Sequence, residues 1–238
     1  MKDGKMAKDL GNEEEAVARA IEHDIIFGRL GPGERLREET ISREKDASRH
    51  HVRQALMILE RSGIVSRERN KGAHVRAYSA DEVRQLYDVR EMLTRQAALK
   101  IDLPASATDI AEMQALQARY EAAIESNTLP EIHATNDAFH VGFFSLCRNP
   151  YLVNMLKRAM DMTYVIRAAN MGNPDQLASA RAEHRAMIAL LAGTDSWALS
   201  ELCVQHLRPS KSHYLKRLEA EESESRTSRR PARQAQET

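Results

Sequence analysis

The 238 residues carry 35 Lys and Arg against 35 Asp and Glu, with 42% hydrophobic and 5% aromatic residues. At roughly 150 residues per domain this length holds one or two domains, and the zero net charge excludes a uniformly basic structural nucleoid protein, so any basic surface is local. Two cysteines (Cys147 and Cys203) exclude a disulfide scaffold, no apolar run approaches the roughly 18 residues of a membrane span, and the opening MKDGKMAKDLGNEEE lacks the apolar stretch of a secretory leader, so no membrane is implied and the expectation is a cytoplasmic protein.

Many Ala, Leu, Glu and Arg bias the chain towards helix. Ala16, Ala20, Ile21 and Ile25 recur at helical spacing and predict a first helix from about Glu13 to Phe27, closed by the turn GRLGPGERL at 28–36. A short polar helix follows near Glu38–Glu44, and Lys45-Asp46-Ala47 breaks it ahead of Ser48, an N-cap. In the next helix Val52, Ala55, Leu56 and Leu59 obey the i, i+3, i+4, i+7 rule until Gly63 stops it. Ile64–Arg67 and Ala73–Arg76 are β-prone runs around Asn70-Lys71-Gly72, which predicts a small hairpin.

From Ser79, itself a cap at a domain boundary, the texture changes to long amphipathic helices. Breaks at Pro104, Pro130, Asn149-Pro150, Gly172-Asn173-Pro174 and Gly193-Thr194 divide it into about six, near 80–101, 106–126, 130–147, 150–170, 175–192 and 195–218. Pro209 should kink the last of these one turn past His206. The tails, about 1–12 and 219–238, have little to bury and are expected to be disordered.

Three helices followed by a two-stranded wing make a winged helix-turn-helix over about 13–77, ahead of an antiparallel helical bundle over about 80–218; the fold class is mainly α. Between Ser48 and Ala77 stand seven basic residues against Glu60 and Glu68. Arg49 and Arg53 share one face of the helix opposite Val52, Leu56 and Leu59, and a guanidinium can donate two hydrogen bonds to guanine O6 and N7. The candidate DNA-binding residues are Ser48, Arg49, His50 and Arg53 on the helix, with Arg69, Lys71 and Gly72 of the wing against phosphate. By charge alone the same arginines suit an ordinary solvated face equally well.

The wording of the segment goes further. Gly28-Arg29-Leu30, Pro32-Gly33-Glu34-Arg35-Leu36, Glu38, Ser48-Arg49, Val52-Arg53, Ala55-Leu56, Leu59-Glu60, Gly63-Ile64-Val65 and Gly72-Ala73-His74-Val75 together resemble the DNA-binding domain of the GntR family of bacterial transcription regulators. Lys45 and Asp46 depart from the apolar residue and Gly usual in that family, and His51 from a frequent Pro.

The rest of the chain resembles the FadR-type subfamily, whose helical domain binds an effector and dimerises. The resemblance rests on Tyr87–Leu93, Asn136–His140, Asn149-Pro150, Glu183-His184-Arg185 and His206-Leu207. It implies a divalent transition metal, Zn, Ni or Mn, held by Asn136, His140, His184 and His206, with Asn136 in place of the more usual Asp, and a small carboxylate effector bound by Arg90. Asn136 and His140 are four apart and leave one helix face, as a bundle-core site requires, and imidazoles suit such metals. Without the resemblance, three scattered histidines read more simply as core or surface residues, and Arg90 as an exposed or ion-paired arginine. Cys203 reads as a small buried hydrophobe, Met155, Met160, Met162 and Met171 as packing, and Trp197 as an anchor at a helix start.

The resulting expectation is a homodimeric regulator reading an inverted-repeat operator in double-stranded DNA under control of a small organic acid. A metal-dependent hydrolase with an accessory DNA-binding domain is the alternative. Against it, the chain has no HExxH, no P-loop, no GxSxG and no paired carboxylates beside the histidines.

Overall fold

The computed structural model describes the backbone of residues 3–68 and 71–228, with side chains over 13–67 and 71–224. Helix α1 (Asp3–Ile26), the short strand β1 (Arg35–Leu36), α2 (Glu38–Glu44), α3 (Arg49–Arg61) and the hairpin β2 (Val65–Glu68) and β3 (Gly72–Val75) form the winged helix-turn-helix. The wing has a third strand that the turn-rich sequence concealed: the sheet order is β1-β3-β2, antiparallel, with Arg35 opposite His74 and Leu36 opposite Ala73. Val52, Ala55, Leu56 and Leu59 of α3 are fully buried against α1, whose Ile21 is equally buried. Each large aliphatic side chain so buried stabilises the domain by about 1.5–3 kcal/mol before entropy is counted.

The caps fall where side-chain chemistry puts them. Ser48 Oγ accepts the His51 amide at 3.2 Å, and Ser79 and Glu82 form a reciprocal capping box at the head of α4 (Ala80–Leu99). Gly63 closes α3 at φ +79°, while the Ile64 amide reaches back to the Leu59 carbonyl at 2.9 Å. Asp46 adopts φ +48° in the turn between α2 and α3. A short polar side chain tolerates this left-handed conformation, so the turn forms without the glycine usual there. Lys45 beside it does not pack as an apolar residue: its Nζ lies 2.5 Å from Asp24 Oδ2 on α1, and Arg29 Nε donates to the same carboxylate at 2.7 Å. Burial opposes ionisation of Asp24, but these two cations prevail and hold its carboxyl below its usual value.

Beyond α4 come α5 (Ala107–Glu125), α6 (Leu129–Ser145), α7 (Pro150–Met162), α8 (Tyr164–Ala168), α9 (Pro174–Leu191), α10 (Ser196–Gln205) and α11 (Arg208–Ser228). Two of the six expected helices are therefore divided. The helix expected over 150–170 breaks at Thr163, whose hydroxyl donates to the Ala159 and Met160 carbonyls at 2.9 and 3.1 Å. No Pro or Gly marks that break. The last helix breaks at His206-Leu207, ahead of Pro209 rather than a turn past His206, because a residue without an amide fits the first turn of α11 better than the interior of one long helix.

The ends differ from expectation too. Helix α1 begins at Asp3 instead of Glu13, since Lys, Ala, Met and Leu there favour helix and no Pro interrupts them. Helix α11 continues to Ser228 instead of ending near 218, helped by an i, i+4 pair between Arg217 and Glu221 at 3.3 Å. Residues 1–2 and 229–238 lie outside the described residues, as does Arg69.

The winged domain and the bundle share a core. Tyr164, Val165 and Ala168 of α8 belong to the same buried cluster as Val17, Ala18, Ile21 and Ile25 of α1. Tyr164 Oη donates to the Glu22 carbonyl at 3.3 Å. Among the described residues no helix is long and apolar enough to cross a membrane.

Candidate functional site

Helix α3 presents Arg49, His50 and Arg53 to solvent, with Ser48 exposed at its cap. Arg49 donates to Glu39 at 2.7 Å, and Arg53 to Glu38 at 3.1 and 3.5 Å, because α3 packs against α2, whose first turn carries both carboxylates. Sequence reasoning singled out the arginines but not these carboxylate partners. His51 sits 2.7 Å from Glu13 on α1 and so is turned away from the exposed face. Lys71 and Gly72 are exposed at the wing, Gly72 with φ +86°.

In the bundle, His140 on α6, His184 on α9 and His206 at the end of α10 converge. His206 Nε2 lies 3.2 Å from His140 Nε2 and 3.3 Å from His184 Nε2. The opposite edges of two rings are fixed: His184 Nδ1 is 3.1 Å from Gln117 Oε1, and His206 Nδ1 is 2.5 Å from Glu183 Oε2. Both partners are acceptors, so Nδ1 carries the proton in each ring and the Nε2 lone pair points inward. Burial, reinforced by the neighbouring His206, holds His140 and His184 well below the ordinary imidazole value, so both are neutral.

Converging lone pairs repel one another unless a proton or a metal ion lies between them. Donors of an ion bound at about 2.0–2.1 Å stand roughly 3–3.4 Å apart, the spacing of His206 Nε2 from the other two rings, and all three donors lie within 4.8 Å of one another, so the set fits a divalent transition metal. Glu183 completes a carboxylate–histidine pairing; burial works against its ionisation, and the hydrogen bonds from His206 and Ser179 overcome this and lower its pKa.

His140 and His206 open onto a cavity of about 80 Å³ that Asn136, Arg90, Arg167, Asn170 and Tyr120 also line, with His184 buried behind them. Arg90 is 4% exposed, and no carboxylate among the described residues lies within ion-pair distance of it. Its Nη1 donates to Thr163 Oγ1 at 3.1 Å, and its Nε has no partner. Burial lowers its pKa to about 10, which leaves it cationic at neutral pH. Arg167, by contrast, is neutralised by Asp137 through bonds of 2.5 and 3.2 Å. Asp137 thus faces Arg167.

A model of the bacterial regulatory proteins of the gntR family matches residues 13–75, and one of the FCD domain matches residues 85–209. The chain belongs to the GntR family. This GntR-family chain is 25% identical over 193 residues to the uncharacterized HTH-type transcriptional regulator YdhC of Bacillus subtilis, spanning 79% of this chain and 85% of that one. It is 25% identical over 197 residues to the HTH-type transcriptional repressor GlaR of Escherichia coli K12, spanning 79% and 90%. A putative transcriptional regulator GntR from Rhodococcus sp. RHA1 shares the fold with a TM-score of 0.65 at 21% identity, covering 86% of this chain and 98% of that one. The family and these relatives are transcriptional regulators, not enzymes, which sets the hydrolase alternative aside.

Of the residues singled out from the sequence of this GntR-family protein, His140, His184 and His206 come together, and Asn136 and Arg90 line the cavity beside them. Gln117, Thr163, Asn170 and Arg167 were missed. Only Glu183, adjacent to His184, carried a sequence signal. Cys203 is a buried apolar neighbour, its thiol pushed up to about 12 by burial. Three minor expectations fail: Met155 and Met162 are 59% and 37% exposed on α7 rather than packed, and Trp197 is 60% exposed, with Arg95 over its ring, rather than anchored.

Proposed function

We propose that this regulator acts as a homodimer on an inverted-repeat operator, and that a small organic acid, held in the bundle beside a divalent transition metal, sets its DNA affinity. The observation that carries this reading is the convergence of three imidazoles, two of which reach the cavity, beside a buried guanidinium on that same cavity that forms no ion pair among the described residues. His140, His184 and His206 would hold the metal, with the neutral amide of Asn136 as a weaker fourth ligand, and the ion would supply positive charge for an acid's carboxylate. Arg90 would clamp and orient that acid with its two-pronged donor set.

On the DNA side, Arg49 and Arg53 would exchange Glu39 and Glu38 for base edges. Ser48 and His50 add contacts from the first turn of α3, and Arg69, Lys71 and Gly72 of the wing follow the phosphates. Val89 and Met92 on α4 and Tyr151 and Met155 on α7, apolar and exposed on two helices that touch, support a second copy of the chain as the partner. The absence of any membrane-crossing helix among the described residues accords with a cytoplasmic location.

The test is elemental analysis of protein purified without a metal-binding tag, paired with operator binding across a panel of small carboxylates. The reading expects about one metal per chain and an acid that changes operator affinity. A metal-free protein whose DNA binding ignores every acid overturns it.

A further inference from the structure

One buried junction links the cavity to the winged domain. Thr163 stands between α7 and α8 and is fully buried. Its hydroxyl oxygen accepts from Arg90 Nη1 at 3.1 Å on the cavity side. Immediately before it, the Met162 carbonyl accepts from Tyr78 Oη at 2.5 Å, and the same Tyr78 hydroxyl reaches the Gly63 carbonyl at 3.4 Å. Gly63 ends α3, the helix that carries the candidate base-reading arginines, and it lies so close to the bundle that a Cβ there would stand 3.5 Å from Met162 Cα. Immediately after Thr163, Tyr164 and Val165 enter the core of the winged domain. Both chain directions out of Thr163 therefore lead, within two residues, to contacts with the DNA-reading part.

Tyr78 is itself held. Its amide donates to Tyr214 Oη on α11 at 3.4 Å, so the linker between the two domains is pinned on both sides. A shift of the Arg90 guanidinium changes what Thr163 Oγ1 accepts. That hydroxyl also donates to the Ala159 and Met160 carbonyls of the last turn of α7, a back-bond that bends helices.

We propose that Thr163 is a positioning residue that couples Arg90 in the cavity to the seating of the winged domain, through the Met162 carbonyl, Tyr78 and the α3 terminus at Gly63. The proposal rests on the reading of the Arg90 cavity as the effector site, and it names the element through which occupancy of that site reaches α3. Coupling between distant sites requires an element whose arrangement both sites bias, and this junction has contacts to both.

Hydrogen exchange on the full-length protein, with no ligand added, tests it. Arg90→Lys keeps the charge but not the forked donor, Thr163→Val keeps the shape but not the hydroxyl, and Thr163→Ser restores the hydroxyl. The expected result is faster exchange in segments 60–66 and 76–82 for Arg90→Lys and for Thr163→Val, by about fivefold, the effect of losing one ordinary buried hydrogen bond, with Thr163→Ser near wild type. Arg90→Lys alone decides the matter if Thr163→Val does not fold. Faster exchange confined to the bundle, with 60–66 and 76–82 at wild-type rates, overturns the proposal. Because neither metal, acid nor operator enters this experiment, its failure is distinct from failure of the functional reading.

Discussion

Glu183 accepts the Nδ1 proton of His206 at 2.5 Å, while its neighbour in sequence, His184, turns Nε2 towards the same His206 ring. One helix thus provides both a candidate metal ligand and the group that orients another. Removing the orienting group should leave the donors present but poorly aimed. We expect Glu183→Ala to weaken metal binding about 10–100-fold, and His184→Ala to abolish stoichiometric binding. Competition against a chromogenic chelator measures both; wild-type affinity in Glu183→Ala would contradict the assigned role.

Arg49 and Lys71 should fail in different ways. Arg49→Ala is expected to cost roughly 1–3 kcal/mol of operator binding and to relax base preference, whereas Lys71→Ala should weaken all duplexes alike and reduce the salt slope by about 1. Glu39→Gln removes the carboxylate that holds Arg49 in the free protein and should raise affinity for any duplex. Binding titrations on operator and scrambled DNA across a salt series separate the three. An Arg49→Ala protein with unchanged base preference would remove that residue from the reading face.

Glu22 gives the two-domain interface a pH dependence. Burial, with help from Asp161 and Asp137 and against Arg19, raises its carboxyl to about 7 from the ordinary 4.5. Between those values the folded state keeps a proton that the unfolded chain has lost, so stability is full below about 4.5 and falls as pH rises through 7. Glu22→Gln should therefore be more stable than wild type at pH 8, by on the order of 2 kcal/mol after allowance for partial solvation, and nearly equal to it at pH 4.5. Urea unfolding at the two pH values checks the sign; a gain that is larger at the acidic pH would refute the assignment.

Met92 and Met155, 58% and 59% exposed, are the residues whose replacement by Glu should separate subunits. A carboxylate on each copy of a two-fold interface meets its own kind. Sedimentation should show the wild type dimeric at micromolar concentration and Met92→Glu shifted at least tenfold towards monomer. A monomeric wild type would dispose of this interface.

What was legible in the chain was local. Ser48, Ser79 and Gly63 punctuate helices through contacts with residues three to five positions away, and these fell where their chemistry predicted. Asn136 and His140 lie one turn apart, so their shared face could be read directly. The break at Thr163 could not, since no Pro or Gly marks it and the threonine hydroxyl there, turned back on its own helix, is held by Arg90 from 73 residues away. Gln117, which fixes the His184 tautomer across 67 residues, is likewise invisible to periodicity, and β1 was hidden because two residues of strand inside a Gly- and Pro-rich turn carry no alternation.

The apolar cluster that runs from Ile21 and Ile25 into Tyr164, Val165 and Ala168 limits how this reader can be transplanted. Cut out at residue 77, the winged domain would bare the side of α1 on which α8 rests, an invitation to aggregate in a fragment this small. A chimera that fuses it to a foreign sensor must bring a surrogate for those three side chains. DNA-reading and sensing halves of this chain are thus separable on paper at the linker, but their interchangeable unit in practice includes a five-residue helix lying almost ninety residues downstream.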